Sequence, residues 1–190
     1  MSRTNLRNVV VIILTTVVIL GGLWLVKGPW RDGGTDPAAV SSVAVSVAPG
    51  QAAPAVGQVA ADFTAVTTAG ETISLSQLRG QPVWLVFGAT WCANCRAEAP
   101  DVAAVAAAMD SRAHVVTIYV GETNSTVQDY VARLKLTGPH VADSAKAIAS
   151  TYAVLGVPAH YFIDGEGVIQ RIVMGTLTAP VATQSLESLM

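Results

Sequence analysis

Apolar and polar positions follow three textures along the 190 residues. From Val9 to Val26 the chain reads VVVIILTTVVILGGLWLV, eighteen residues without a charge, with Arg3 and Arg7 before it and Lys27 and Arg31 after it. An apolar helix of roughly 17 to 25 residues crosses a bilayer core, so this run predicts a transmembrane anchor over residues 9–26. From Asp32 to Gly57 the texture is Gly, Pro, Ala and Ser with no charge after Asp36, which predicts a flexible linker over 27–57. Inside it, Val40 to Val47 alternates with the period of an edge strand. The flanking Gly and Pro and the absence of aromatics favour the tether over the strand. From Gln58 onward, apolar runs of strand length recur between segments of helical period, which places the folded domain at 58–190.

Within that domain, Asp62–Val66 and Thr72–Leu75 read as a hairpin around Ala69-Gly70-Glu71, followed by a single helical turn over Ser76–Gly80. Val83–Phe87 is an uninterrupted apolar run of the kind buried on both faces. A helix is expected from Ala93 to about Met109, kinked at Pro100, which has no amide hydrogen to give to the preceding turn. His114–Val120 reads as a second buried strand. Val127, Tyr130, Val131 and Leu134 mark a helix over Thr126–Leu136, and His140–Ala142 a short strand. Ser144–Tyr152, with Asp143 as N-cap, reads as helix. Ala159–Ile163 and Val168–Val173 flank Asp164-Gly165-Glu166-Gly167 as a hairpin, and Thr178 can cap a last helix ending near Leu189.

Composition changes the picture only modestly. Apolar residues make up 52%, the formal charge is -2, and residues 58–190 carry seven Lys and Arg against eleven Asp and Glu. A mildly acidic domain offers no basic footprint for nucleic acid. The apolar N-terminal run continues to Lys27 with no small-x-small site close behind it, which argues for a retained anchor over a cleaved signal peptide. The lack of a nearby cysteine speaks against a lipid-modified one. Arg3, Arg7 and the amino terminus outweigh Lys27 and Arg31 by one charge, so residues 1–8 are expected in the cytoplasm and the domain outside it. Trp24 and Trp30 suit a membrane interface as well as simple packing.

The chemistry rests on Trp91-Cys92-Ala93-Asn94-Cys95, which holds both cysteines of the chain. It falls where a buried strand runs into a helix, so Cys92 meets the unpaired amides and positive dipole end of that helix, which favour a thiolate. In Cys-x-x-Cys motifs so placed, thiol pKa values fall from about 8.5 to between roughly 3.5 and 7.5. Zinc is disfavoured because a second cysteine pair is missing and His114, His140 and His160 are too far apart to complete a ligand set. A purely structural disulfide closes so short a loop that it restrains the unfolded chain little.

At these residues the chain resembles the thioredoxin superfamily, and within it the membrane-anchored TlpA/ResA-like thiol-disulfide oxidoreductases. The likeness is carried by Trp91-Cys92-x-x-Cys95 after an apolar strand, Pro100 five residues beyond the pair, Gly156-Val157-Pro158 before Tyr161-Phe162-Ile163-Asp164, and Gly175-Thr176-Leu177-Thr178. It implies a three-layer α/β thioredoxin-like fold with an N-terminal β-hairpin and a central helix-strand insert, behind one transmembrane helix. It also implies Cys92 as nucleophile and Cys95 as resolving thiol. Glu98 becomes the group that exchanges a proton with Cys95, Pro158 a cis residue, and Val157 and Trp91 contacts for an extended client. No cofactor or metal is implied beyond the cysteine pair. The expected partners are client proteins with disulfides, apocytochrome c among them, and a membrane thiol-disulfide transporter as electron donor to a monomer. The cell membrane is the implied location, with the domain on the outer face. An oxidant of exported proteins and a tethered chaperone or binding module are the competing functions. His160, a lone histidine two residues past Pro158, reads as a surface or half-buried side chain unless it faces the cysteines.

Overall fold

The structure, a computed structural model, describes residues 15–16, 43–46 and 53–190. The anchor expected at 9–26, apart from helical Thr15 and Thr16, lies outside the described residues, as do residues 1–8 and most of 27–57. Among the described residues no helix is long and apolar enough to cross a membrane.

Strand β4, Val83–Gly88, is buried at every position and organises the domain. Because side chains alternate across a strand, Val83, Leu85 and Phe87 face one layer while Trp84 and Val86 face the other. On one side of β4 lie β5, His114–Val120, and then β6, His140–Asp143, both parallel to their neighbours. On the other lie β7, Ala159–Ile163, and β8, Ile169–Met174, both antiparallel. The order is β6-β5-β4-β7-β8. Helix α1, Ala93–Met109, follows β4, and α4, Ala179–Glu187, closes the chain. Val105 and Met109 of α1 and Ala182 and Leu186 of α4 pack on the Trp84 face with Phe162. Helix α2, Asn124–Leu134, and strand β6 form the expected insert, with Val127 and Tyr130 buried beside Tyr119 and Ala142.

The Leu85 face is covered by strands β2, Asp62–Val66, and β3, Thr72–Ser74, and by helix α3, Ala147–Thr151. The hairpin thus forms as the alternation predicts, but the sheet holds a third strand. The tether expected over 27–57 is corrected at Val43–Ser46, which is strand β1, antiparallel to β2 with Val43 opposite Ala65 and Val45 opposite Phe63. The free edge of β2 supplies the backbone partners, and Val43 and Val45 pack against the core, so the period-2 pattern prevails over the flanking Gly and Pro.

Two caps also differ from expectation. Asp143 ends β6 instead of starting a helix at 144, and helix α3 begins only at Ala147. Its carboxylate still accepts from the amides of Ala147 at 2.7 Å and Ala149 at 2.8 Å. Thr178 occupies the N-cap of α4, yet its hydroxyl makes no capping bond. Asp101 Oδ2, reaching over from α1, accepts from Ala179 N at 3.1 Å instead. The β7–β8 turn forms as expected, with Gly167 at φ +88°, a conformation that favours glycine, and Asp164 Oδ1 accepting from Val168 N.

Candidate active site

The chain leaves β4 at Gly88, crosses Ala89-Thr90-Trp91, and enters α1 with Cys92 as N-cap. Cys92 Sγ accepts from Cys95 N at 3.1 Å, one of the amides a helix start leaves unpaired. The two cysteines are joined in a disulfide with Cα atoms 5.2 Å apart. They are nearly equal in exposure, 7% and 8%, so accessibility does not separate their roles. Surroundings do. Cys92 Sγ lies 3.7 Å from the carbonyl oxygen of Val157, in the loop where the Val157–Pro158 peptide is cis. Cys95 instead faces inward, onto a cavity between α1 and the sheet that it shares with Glu98.

That cavity has about 40 Å³ open to water-sized solutes and is walled by Val86, Gly88, Tyr119, Tyr130 and His140 as well as α1. A space of this size and partial polarity admits water. Gly88 stands against Cys95, where an added Cβ would meet Cys95 Sγ at 3.7 Å, an ordinary contact.

Glu98 is 4% exposed. Its burial has a signal in the sequence: Cys95, Glu98, Val102, Val105 and Met109 are spaced three and four apart, the inward stripe of α1. The carboxylate accepts from Leu177 N at 3.2 Å, in the loop before α4. Burial, outweighing that hydrogen bond and helped by nearby Asp101, raises its pKa from 4.5 to about 7. A group so placed can hold or release a proton near neutrality, one helical turn from Cys95.

His160 is not the half-buried histidine that its isolation in sequence suggests. On β7 it pairs with Val86 of β4, so it shares the α1 face with Phe162, and it is fully buried. Its Nε2 donates to Gly175 O at 3.0 Å and lies 3.6 Å from Glu98 Oε2, while Nδ1 has no partner. Strand alternation from Phe162 carried this information, because residues two apart share a face.

The loop before Cys92 is held by residues that the sequence did not single out. Glu122, buried just after β5, accepts from Thr90 N at 2.8 Å and from the Thr90 hydroxyl. Arg96 donates to Thr90 O and Trp91 O at 3.1 and 2.8 Å. These contacts fix both sides of the Thr90 peptide but leave the Trp91 ring 68% exposed. Val157 is half-buried, Pro158 buried, and Leu155 at the start of the same loop 96% exposed. Among the described residues no three His, Cys, Asp or Glu side chains converge as a metal site.

The family described as AhpC/TSA matches residues 56–172. The thiol-disulfide oxidoreductase ResA of Geobacillus thermodenitrificans is 32% identical over 136 residues, covering 71% of this chain and 78% of that protein. The thioredoxin-like protein YneN of Bacillus subtilis is 34% identical over 134 residues, 69% of this chain and 78% of its own length. Among solved structures, StoA from Bacillus subtilis superposes with a TM-score of 0.61 at 28% identity, covering 70% of this chain and 98% of the other.

Proposed function

The chain belongs to the AhpC/TSA family of thioredoxin-like proteins and is a thiol-disulfide oxidoreductase, and from that premise we propose that it works outside the cytoplasm, tethered by residues 9–26, as a reductant of client disulfides. One observation carries the reading: Glu98 is buried behind Cys95, in the cavity the two share, while Cys92 faces the Val157–Pro158 loop.

The dithiol form acts first through Cys92. Its thiolate, favoured by the Cys95 amide and the start of α1, attacks one sulfur of a client disulfide. A Cys92–client disulfide forms and the other client sulfur leaves as thiolate. Glu98 as carboxylate then takes the proton of Cys95. The Cys95 thiolate attacks Cys92 Sγ, the mixed disulfide breaks, and the second client sulfur departs. The two electrons of the pair now rest in the client dithiol, and the Cys92–Cys95 disulfide remains. An external thiol reductant must restore it, and a thiol-disulfide transporter in the same membrane fits that need. Compartment chemistry agrees, since disulfides persist outside the cytoplasm and a protein that reduces them there needs a dedicated electron source.

Trp91 beside the pair and Leu155, two residues before Val157, offer exposed apolar side chains, and the Val157 backbone offers main-chain pairing to an extended client segment, which tolerates varied sequence. Apocytochrome c, whose haem-attachment cysteines have to be reduced, suits such a groove.

Two measurements test this. Equilibration with glutathione is expected to give a potential well below about -200 mV, whereas a value nearer -120 mV makes the protein an oxidant instead. In Cys95→Ser the mixed disulfide on Cys92 cannot resolve, so membrane fractions should yield covalent client complexes that Cys92→Ser lacks. Equal retention of clients by both variants would leave a binding module without turnover.

A further inference from the structure

The reaction asks Glu98 to become a buried anion, and its immediate surroundings are poorly equipped for that. From α1 it faces Asp101, which carries the same charge, and Cys95. From β5, α2 and β6 the cavity presents Tyr119, Tyr130 and His140, and no lysine or arginine lines it. His140 spends its Nδ1 on the Tyr119 hydroxyl at 3.3 Å. The loop before α4 supplies a single amide, Leu177 N. One carboxylate with one donor in a site of low polarity is a costly arrangement. The side-chain N–H that stands closest to making a bond with it is His160 Nε2–H on β7, 3.6 Å from Oε2.

That hydrogen is placed to serve two acceptors. In the disulfide form it bonds Gly175 O at 3.0 Å and stands 3.6 Å from Glu98 Oε2, just beyond hydrogen-bond range. The carbonyl and carboxylate therefore flank the same N–H. Ionisation of Glu98 strengthens the pull of one of them, because a charged acceptor binds a donor about twice as strongly as a neutral one. The ring has no other commitment to hold it back, since Nδ1 is buried without a partner. Leaving a buried nitrogen unpaired destabilises the fold, and a purely apolar side chain at this strand position would avoid that.

We propose that His160 is the positioning residue of Glu98: its Nε2–H is shared between the Gly175 carbonyl and the Glu98 carboxylate, and so determines how readily the buried acid ionises beside Cys95. Burial lowers the histidine pKa to about 4, so the imidazole is neutral throughout the working range and acts as an oriented dipole, not as a cation. The inference deepens the role given to Glu98 above and depends on it only for its catalytic meaning.

The test reads the carboxyl itself. In full chain held in detergent with carbon-13 glutamate, the Glu98 Cδ signal is identified by its loss in Glu98→Gln and followed against pH in the oxidised protein. His160→Phe is expected to displace the Glu98 titration upward by about one pH unit, the scale of one hydrogen bond to a charged group. His160→Gln, whose amide keeps a donor, should recover most of that displacement. His160→Leu provides the same apolar comparison should the phenylalanine variant fail to fold. A Glu98 titration that stays in place in folded apolar variants, or that moves as far with Gln as with Phe, overturns the proposal. A merely structural histidine lowers the melting temperature and leaves the titration fixed, and so counts against it. The catalytic role of Glu98 stands or falls separately, on whether Glu98→Gln alters the pH profile of dithiol exchange.

Discussion

Two buried residues whose protonation responds to burial in opposite senses sit side by side in this protein, and the folded state feels both. Glu98 titrates at about 7 in place of 4.5, so the folded chain keeps a proton that the unfolded chain releases. Its contribution to stability is therefore intact below about pH 4.5 and lost as the pH rises to 7, about 3 kcal/mol at most. His160 titrates at about 4 in place of 6.5, so the folded chain refuses a proton that the unfolded chain accepts. Its loss runs the other way, from pH 6.5 down to about 4, and is of similar size, about 3 kcal/mol. Between about pH 4.5 and 6.5 the two slopes cancel, which predicts a level stretch in the native stability curve. Glu98→Gln removes the upper slope, so that variant should weaken only toward acid. His160→Phe removes the lower one, and that variant should weaken only from pH 4.5 upward. Denaturant unfolding at pH 4, 5.5 and 7.5 decides the matter, and a level curve in both variants would show that neither group responds to its burial.

At the scale of elements, helix starts show why local pattern and tertiary structure diverge. Thr178 has the residue type and position of a cap, but the second helical residue, Pro180, has no amide hydrogen to give it, its hydroxyl makes no capping bond, and it is Asp101 from the neighbouring helix that accepts from the first amide, Ala179 N. Thr178→Ala should therefore leave stability within about 0.5 kcal/mol, whereas Asp101→Ala should cost about 1 kcal/mol, as loss of a functioning cap does. Thermal melts of the two variants, read together, test the assignment. Strands β4 and β5 and helix α1 were legible because each declares itself within its own residues, by an unbroken apolar run or by alanine-rich helical composition. Strand β1 was legible only in its alternation, which the flanking Gly and Pro outweighed, since its hydrogen-bond partner lies across the linker on β2 and nothing local to Val43–Ser46 states that the partner has a free edge. The same limit applied to the site. The cysteine pair is contiguous and was read directly, while the approach of His160 to Glu98 joins β7 to α1 across 62 positions and follows from packing alone.

For the whole molecule, the direction of electron flow is a statement about relative stability. A dithiol protein that reduces its clients is one whose own disulfide is favoured in the folded state, while a strong oxidant stabilises its dithiol form. If the protein is a reductant, the Cys92–Cys95 disulfide form should melt at a higher temperature than the reduced form, and calorimetry of the two states gives the sign without any client. A higher melting temperature for the dithiol would reverse the proposed direction. The segment from Gly175 to Leu177 has a different consequence. Gly175 N donates to Pro158 O at 2.8 Å, Gly175 O receives His160, and Leu177 N reaches Glu98. Two stretches far apart in the chain, residues 158–160 and the turn of α1 that carries Glu98, are thus stitched into one unit by a short crossing thread. Anyone grafting a new loop onto this scaffold at the place proposed for client recognition would have to transplant the thread and the acid with it, because recombining residues 155–158 alone cuts a seam that also holds the proposed proton acceptor Glu98.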